Sequence, residues 1–186
     1  MKRIFDLTLA VFVGIILLIP ILIIALAVRL TSEGPVLYWS DRVGRNNQIF
    51  KMPKFRSMRI DTPDIATHLL QEPDAWLTSI GNVLRKSSLD ELPQIWSVIN
   101  AEMSFVGPRP ALYNQTDLIA LRKKAGIDKL LPGITGWAQI NGRDYLNVEE
   151  KVTFDLEYLN KKSIYFDTKI ILLTIFKVIK KESIKH

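Results

Sequence analysis

The chain opens on a long apolar run. From Leu7 to Val28, 22 residues, Thr8 is the sole polar side chain, and only Gly14 and Pro20 are unfriendly to a helix. Crossing the hydrocarbon core of a bilayer takes about 20 residues, and a soluble core helix would carry a polar face that this run lacks. The pattern predicts a membrane helix. Its flanks bear on topology, because Lys2 and Arg3 precede it while Arg29, Arg42 and Arg45 follow it. Cytoplasmic enrichment of Lys and Arg would put both flanks on one side, which a single straight span cannot do. Pro20 removes a backbone donor and crowds the preceding turn. A helix-break-helix at Pro20 that enters and leaves through the same face satisfies both observations. A simple span ranks behind it. A cleaved signal peptide, suggested by Ala25-Leu26-Ala27, ranks last because the apolar region exceeds the roughly 7 to 15 residues expected.

After the Gly34-Pro35 turn, Val36 to Trp39 and Gln48 to Met52 read as two short strands joined through Gly44 to Asn47, a basic hairpin that ends in Lys54-Phe55-Arg56-Ser57-Met58. Helical signals follow at Pro63–Leu70, Trp76–Lys86, Asp90–Asn100, Leu112–Lys124 and Val148–Asn160. A glycine-rich loop, Pro132 to Arg143, separates the last two. In the final segment, Ser163 to Lys181, the residues Lys169, Thr174, Lys177, Lys180 and Lys181 fall within an arc of roughly 140°. Ile171, Leu172, Ile175, Phe176, Val178 and Ile179 fill the opposite side, while Ile170 and Leu173 intrude on the polar arc. Such a face suits a helix lying in the membrane interface, and the plainer alternative is a core helix with solvated lysines. The fold expected is α+β, mostly helical, with residues 1–30 as the membrane helix and 31–186 as a membrane-associated catalytic domain.

Composition narrows the chemistry. The 186 residues are 48% hydrophobic and 24% charged, and cysteine is absent. That excludes disulfides, thiolate metal sites, iron–sulfur clusters and cysteine nucleophiles, so any nucleophile is an oxygen or a nitrogen. The net charge of +6 is concentrated in two places. Between Asp41 and Arg59, six cations face one anion, and between Lys161 and His186 seven lysines face Asp167 and Glu182. Such patches suit nucleic acid, an anionic membrane or a phosphate-bearing small molecule.

The densest constellation is Arg85-Lys86-Ser87-Ser88-Leu89-Asp90-Glu91-Leu92-Pro93-Gln94. Pro93 belongs in a first turn, which makes Leu89 or Asp90 the expected N-cap. The plain reading is that Asp90 caps the helix and Glu91 favours its positive end. The chemical reading is that one carboxylate attacks a phosphorus while its neighbour holds a magnesium ion and arginines neutralise charge. Two prolines frame Arg109 in Val106-Gly107-Pro108-Arg109-Pro110 and reduce the entropy lost when its guanidinium clamps a phosphate. Gly133, Gly136 and Gly142 allow close backbone approach to a ligand, although turn geometry alone would explain them.

Taken in order, these motifs, with Asp41-Arg42-Val43-Gly44 and the apolar N-terminus, resemble the monotopic phosphoglycosyl transferases of bacteria, which start glycan assembly on a polyprenyl phosphate. The resemblance covers nearly the whole chain. It implies that Asp90 attacks the sugar-linked phosphate of a UDP-sugar, releasing UMP and forming a phosphosugar ester that polyprenyl phosphate then attacks. It implies that Glu91 binds Mg2+, that Arg56, Arg85 and Arg109 handle phosphate, and that Gln139, Asn141 and Arg143 of the glycine loop bind substrate. It also implies a re-entrant helix broken at Pro20, interfacial helices near the C-terminus, and a place on the cytoplasmic face of the bacterial inner membrane, with the lipid bilayer and no nucleic acid as partner. Two departures stand out: Ile19-Pro20 where the family usually has Ser-Pro, and Asn100-Ala101-Glu102 where Lys-Gly-Asp is more usual. The rival readings are a membrane-tethered module for nucleic acid or anionic lipid, and a membrane scaffold. Neither accounts for the acid pair beside Arg85 and the framed Arg109.

Overall fold

The computed structural model describes residues 1–63, 72–142 and 145–179. The apolar run forms one helix, α1, Lys2–Thr31, whose most apolar window has a mean hydropathy of 3.3. The helix is assigned continuously through Pro20, so no non-helical segment divides it into two elements. Asp6, Ala10, Val13, Leu17, Ile21, Ile24 and Val28 are buried or partly buried. Their spacing of three and four residues is one helical stripe, and it packs on the rest of the chain. Off the stripe, Phe12, Ile15, Ile19, Leu22, Ile23 and Leu26 are each at least 60% exposed. An apolar surface of that size calls for a nonaqueous partner.

The hairpin forms as expected but longer. Strands β1, Leu37–Val43, and β2, Ile49–Phe55, pair antiparallel from Leu37↔Phe55 to Val43↔Ile49. Asn46 and Asn47 make the turn at φ +55° and +59°, a left-handed conformation that asparagine tolerates better than most residues. A second sheet pairs β3, Ser104–Val106, parallel with β5, Gly133–Thr135, while β4, Ala111–Leu112, adds to the edge of β1. The helices after α1 are α2, Gly81–Lys86; α3, Ile95–Ile99; α4, Thr116–Lys124; α5, Trp137–Ile140; α6, Val148–Lys161; and α7, Ile164–Ile179. The fold is α+β and mostly helical.

Several expected helices are shorter, for local reasons. Of Trp76–Lys86 only α2 is α-helical, because the Thr78 N–H donates to the Ser57 carbonyl and Leu77 bridges to Met58. Leu112 joins β4, so α4 starts at Thr116. The glycine loop contains both β5 and α5, which its sequence concealed. Residues 64–70 of the expected helix Pro63–Leu70 lie outside the described residues.

Helix α7 inverts the ordinary amphipathic arrangement. Phe166, Asp167 and Ile170 are buried, Thr174 Oγ1 lies 2.7 Å from Thr135 Oγ1, and Lys177 Nζ donates to the Ile140 carbonyl at 2.6 Å. The part of the polar arc at Thr174 and Lys177 therefore faces the protein, while Lys169 is exposed. Leu172, Ile175, Phe176 and Val178 face outward, 44–61% exposed. A core helix with solvated lysines fits Lys169 but not Lys177.

The two ends of α1 are tied to the same body. Lys2 Nζ donates to Asp167 Oδ2 at 2.6 Å and lies 4.0 Å from Asp6 Oδ2. Arg3 donates to the Val98 and Ile99 carbonyls at the C-terminus of α3, where a cation offsets the helix dipole. Asp6, 1% exposed, accepts from Ser104 Oγ and from the Phe105 N–H of β3. The Tyr158 hydroxyl donates to Asp167 Oδ1 at 2.7 Å, and burial beside that carboxylate keeps the phenol protonated. At the other end Val28 packs with Phe55 and Leu84, and Ser79 Oγ donates to the Thr31 carbonyl at 3.0 Å.

Removing Lys2 leaves two buried carboxylates sharing no ammonium. A fully buried pair so broken costs about 3–5 kcal/mol, and Lys2 is 37% exposed, so Lys2→Met is expected to cost about 2 kcal/mol. Asp167→Asn removes the charge along with the need for its partner and is expected to cost less. Thermal unfolding in detergent checks the order, and a Lys2→Met protein as stable as Asp167→Asn contradicts it.

Candidate active site

The acid pair sits in a 3₁₀ helix, Leu89–Gln94, that runs into α3. Its N-cap is Ser88 at φ +56°, and no side chain caps it. Because α2 ends at Lys86, the chain must reverse at once, and a left-handed Ser88 does so. Neither Leu89 nor Asp90 is the cap, so helix capping does not account for Asp90. Successive side chains in such a helix point about 120° apart, which lets Asp90 and Glu91 face different partners.

Asp90 is 7% exposed. Burial raises its carboxyl pKa above the usual 3.8; the Lys54 ammonium opposes this, neighbouring Glu91 adds to it, and Arg85 and Arg109 oppose it. Glu91 is fixed from two sides, its Oε1 accepting from Lys54 Nζ at 2.8 Å and from Arg109 Nη2 at 3.1 Å. Lys54 reaches it from β2, on the same strand face as the core residue Met52 two positions earlier. Arg85, in the last turn of α2, also donates from Nη1 to Met58 Sδ at 3.1 Å. Two carboxylates and three cations from four separate segments thus converge.

Lys54 was not among the residues expected to serve the site. Nothing in the sequence says which of Lys54 and Arg56 meets the acids. Arg56 instead donates from Nε to the Pro35 carbonyl at 2.8 Å. Gln139 donates to the Ile134 carbonyl at 3.3 Å and Asn141 to the Trp137 carbonyl at 2.7 Å, both within their own loop. No hydrogen bond joins either to the acid pair among the described residues. Arg143 lies outside the described residues.

The glycines of that loop act on the backbone of the Arg109 segment. The Gly107 N–H donates to Thr135 and the Gly133 N–H to Pro108, at 3.0 and 2.9 Å. A Cβ at Gly133 would strike the Gly107 nitrogen and one at Gly136 the Gly107 carbonyl. The loop packs backbone against backbone there.

A magnesium ion takes oxygen ligands and is commonly held by one or two carboxylates together with substrate phosphates and water. No group of three or more acidic, histidine or cysteine side chains fit for a metal occurs among the described residues. Glu91 is one such carboxylate beside Asp90, so the residues present fit a magnesium whose other ligands would be phosphate and water.

The acid pair is thus gathered with Lys54, Arg85 and Arg109. The chain belongs to the bacterial sugar transferase family, whose model matches residues 1–181. It is 43% identical over 185 residues to an Escherichia coli K12 protein named UDP-glucose:undecaprenyl-phosphate glucose-1-phosphate transferase, covering 95% of this chain and 40% of that one. It is 43% identical to an undecaprenyl-phosphate glucose phosphotransferase of Komagataeibacter xylinus, covering 94% of this chain and 35% of the other. A Bacillus subtilis protein named uncharacterized sugar transferase EpsL is 40% identical and matches at full length, 100% of this chain and 91% of its own. The chain thus spans well under half of the first two relatives and nearly all of the third.

A carboxyl whose pKa is higher in the folded protein than in the unfolded chain favours folding at low pH, and that contribution is lost as pH rises through the folded value. Ionisation of Asp90 is therefore a net cost to folding. Asp90→Asn is expected to raise the thermal midpoint at pH 7, by a margin that shrinks as pH falls toward about 4. A lower midpoint at pH 7 contradicts this.

Proposed function

We propose that the protein transfers a sugar 1-phosphate from a UDP-sugar to undecaprenyl phosphate or a similar polyprenyl phosphate, giving polyprenyl diphosphate sugar and UMP. The observation that carries this reading is the buried Asp90 beside Glu91, with Lys54, Arg85 and Arg109 around them. Cysteine is absent, so a covalent path needs another nucleophile, and a carboxylate among cations is one that can approach a diphosphate.

In the first step an Asp90 oxygen attacks the sugar-linked phosphorus. The bond from that phosphorus to the bridging oxygen breaks, and UMP departs with the electron pair. In the second, a phosphate oxygen of the lipid attacks the same phosphorus and the Asp90 carboxylate leaves. Arg109 and Lys54 offset the charge of the diphosphate, and burial leaves the Asp90 carboxylate poorly solvated and so more nucleophilic. Magnesium, held by Glu91 with phosphate oxygens and water, would neutralise further charge on the diphosphate.

The lipid substrate requires a site at headgroup level. A straight 30-residue helix is about 45 Å long and would carry Lys2 across the bilayer from residues 31 onward. Instead Lys2, Arg3 and Asp6 bind residues 98–105 and Asp167, while Val28 and Thr31 meet residues 55, 79 and 84. Contacts with one body along the whole of α1 support a monotopic arrangement, with the helix and the body on the same side of the membrane. The positive flanks favour the cytoplasmic one, and the outward apolar side of α7 lies in the interface.

The names of the relatives put UDP-glucose at the head of the donor panel. Purified protein with undecaprenyl phosphate, magnesium and a panel of UDP-sugars is expected to release UMP, and Asp90→Asn to lower the rate at least about 1000-fold. Folded protein that releases none from any donor contradicts the transferase reading. Turnover retained in Asp90→Asn contradicts the nucleophile alone.

A further inference from the structure

Arg109 stands between two prolines, and the three carbonyls of Pro108, Arg109 and Pro110 are each held by a different part of the fold. Pro108 accepts from the Gly133 N–H at 2.9 Å, Arg109 from Arg122 Nη1 at 2.8 Å, and Pro110 from Arg42 Nη1 at 3.3 Å. The proline rings fix φ at 108 and 110. Carbonyl bonds and rings together leave the Arg109 backbone little freedom.

The Arg122 contact has an unusual foundation. Arg122 lies on α4 and is 9% exposed; Asp155 on α6 is 1% exposed. Arg122 Nε and Nη2 both donate to Asp155 Oδ2, at 2.9 and 2.6 Å. A buried ion pair is often no more stabilising than apolar side chains of the same volume, because both ions lose their water. Burial indeed outweighs the arginine and raises the pKa of Asp155. Apolar packing would join α4 to α6 equally well, but it could not supply a donor to the Arg109 carbonyl.

We infer that Arg122, oriented by Asp155, is a positioning residue that acts through the Arg109 backbone to aim its guanidinium at Glu91 and the donor phosphate. This rests on the transferase reading and on Arg109 meeting phosphate. The planar fork is essential to it. Three nitrogens of one guanidinium reach Asp155 and the carbonyl in a fixed geometry, whereas a lysine ammonium on a flexible stem would satisfy Asp155 and lose the second contact.

The test is a double-mutant cycle read by the initial rate of UMP release from radiolabelled donor. Arg122→Lys is expected to keep the thermal midpoint near that of the unaltered protein and to slow release about tenfold or more. Arg109→Ala is expected to be slower still. Adding Arg122→Lys to Arg109→Ala should then change the rate by less than about twofold, because the route through Arg109 is already gone. An Arg122→Lys effect of equal size in both backgrounds overturns the inference and leaves the transferase reading intact, as does an Arg122→Lys protein with the unaltered rate. An Arg109→Ala protein as fast as the unaltered one removes Arg109 from the substrate and overturns the inference with it. If Arg122→Lys lowers the midpoint, the pair Arg122→Met with Asp155→Leu, which removes both buried charges, takes its place in the cycle with the same outcomes.

Discussion

At the start of α1 one ammonium, Lys2, is held between two carboxylates, Asp167 at 2.6 Å and Asp6 at 4.0 Å, each 1% exposed. Much of the architecture depends on that arrangement. It ties the first turn of the most apolar helix to β3, through Asp6 on Ser104 and Phe105, and to the start of α7, through Asp167. Tyr158 adds α6 to the same knot. With Val28 and Thr31 held at the other end, a helix long enough to cross a bilayer is fixed at both ends by one body. Its outward side and that of α7 are left apolar.

The same constraint reaches the chemistry. Strand β3 leads directly into Gly107-Pro108-Arg109-Pro110, so the segment that α1 grips at Asp6 is the one that delivers Arg109 to Glu91. Around Asp90, two opposing effects are balanced. Burial penalises its charge, and Lys54, Arg85 and Arg109 offset part of that penalty. A carboxylate held in this way is poorly solvated when ionised, a condition that on the proposed route would favour attack on phosphorus. Stability is surrendered at the residue proposed as the nucleophile.

What was legible in the sequence had local causes. The α1 run, the hairpin and α6 follow from periodicity and capping; Asn147 and Glu150 form the capping box that starts α6. Asp90, Glu91 and Arg109 were recognisable as a group because their motifs lie in order along the chain. What was hidden depends on pairs distant in sequence. Lys2 reads as a flanking charge until Asp167, 165 positions on, is folded beside it. Lys54 and Arg56 are two residues apart, and only the packing of the 3₁₀ helix on β2 selects Lys54. Arg122 and Asp155 look like ordinary surface charges on two polar helices. Glycines 133 and 136 suggested a ligand cradle, but their lack of a side chain accommodates the backbone at Gly107.

On the proposed route Asp90 carries the sugar phosphate between donor and lipid. Protein incubated with its UDP-sugar donor and magnesium, but without lipid acceptor, can be quenched, digested and mapped by mass spectrometry. A phosphosugar adduct is predicted on the peptide containing Asp90, formed with one equivalent of UMP and discharged on adding polyprenyl phosphate. Turnover with lipid present but no adduct in its absence, or an adduct on a peptide lacking Asp90, would contradict it.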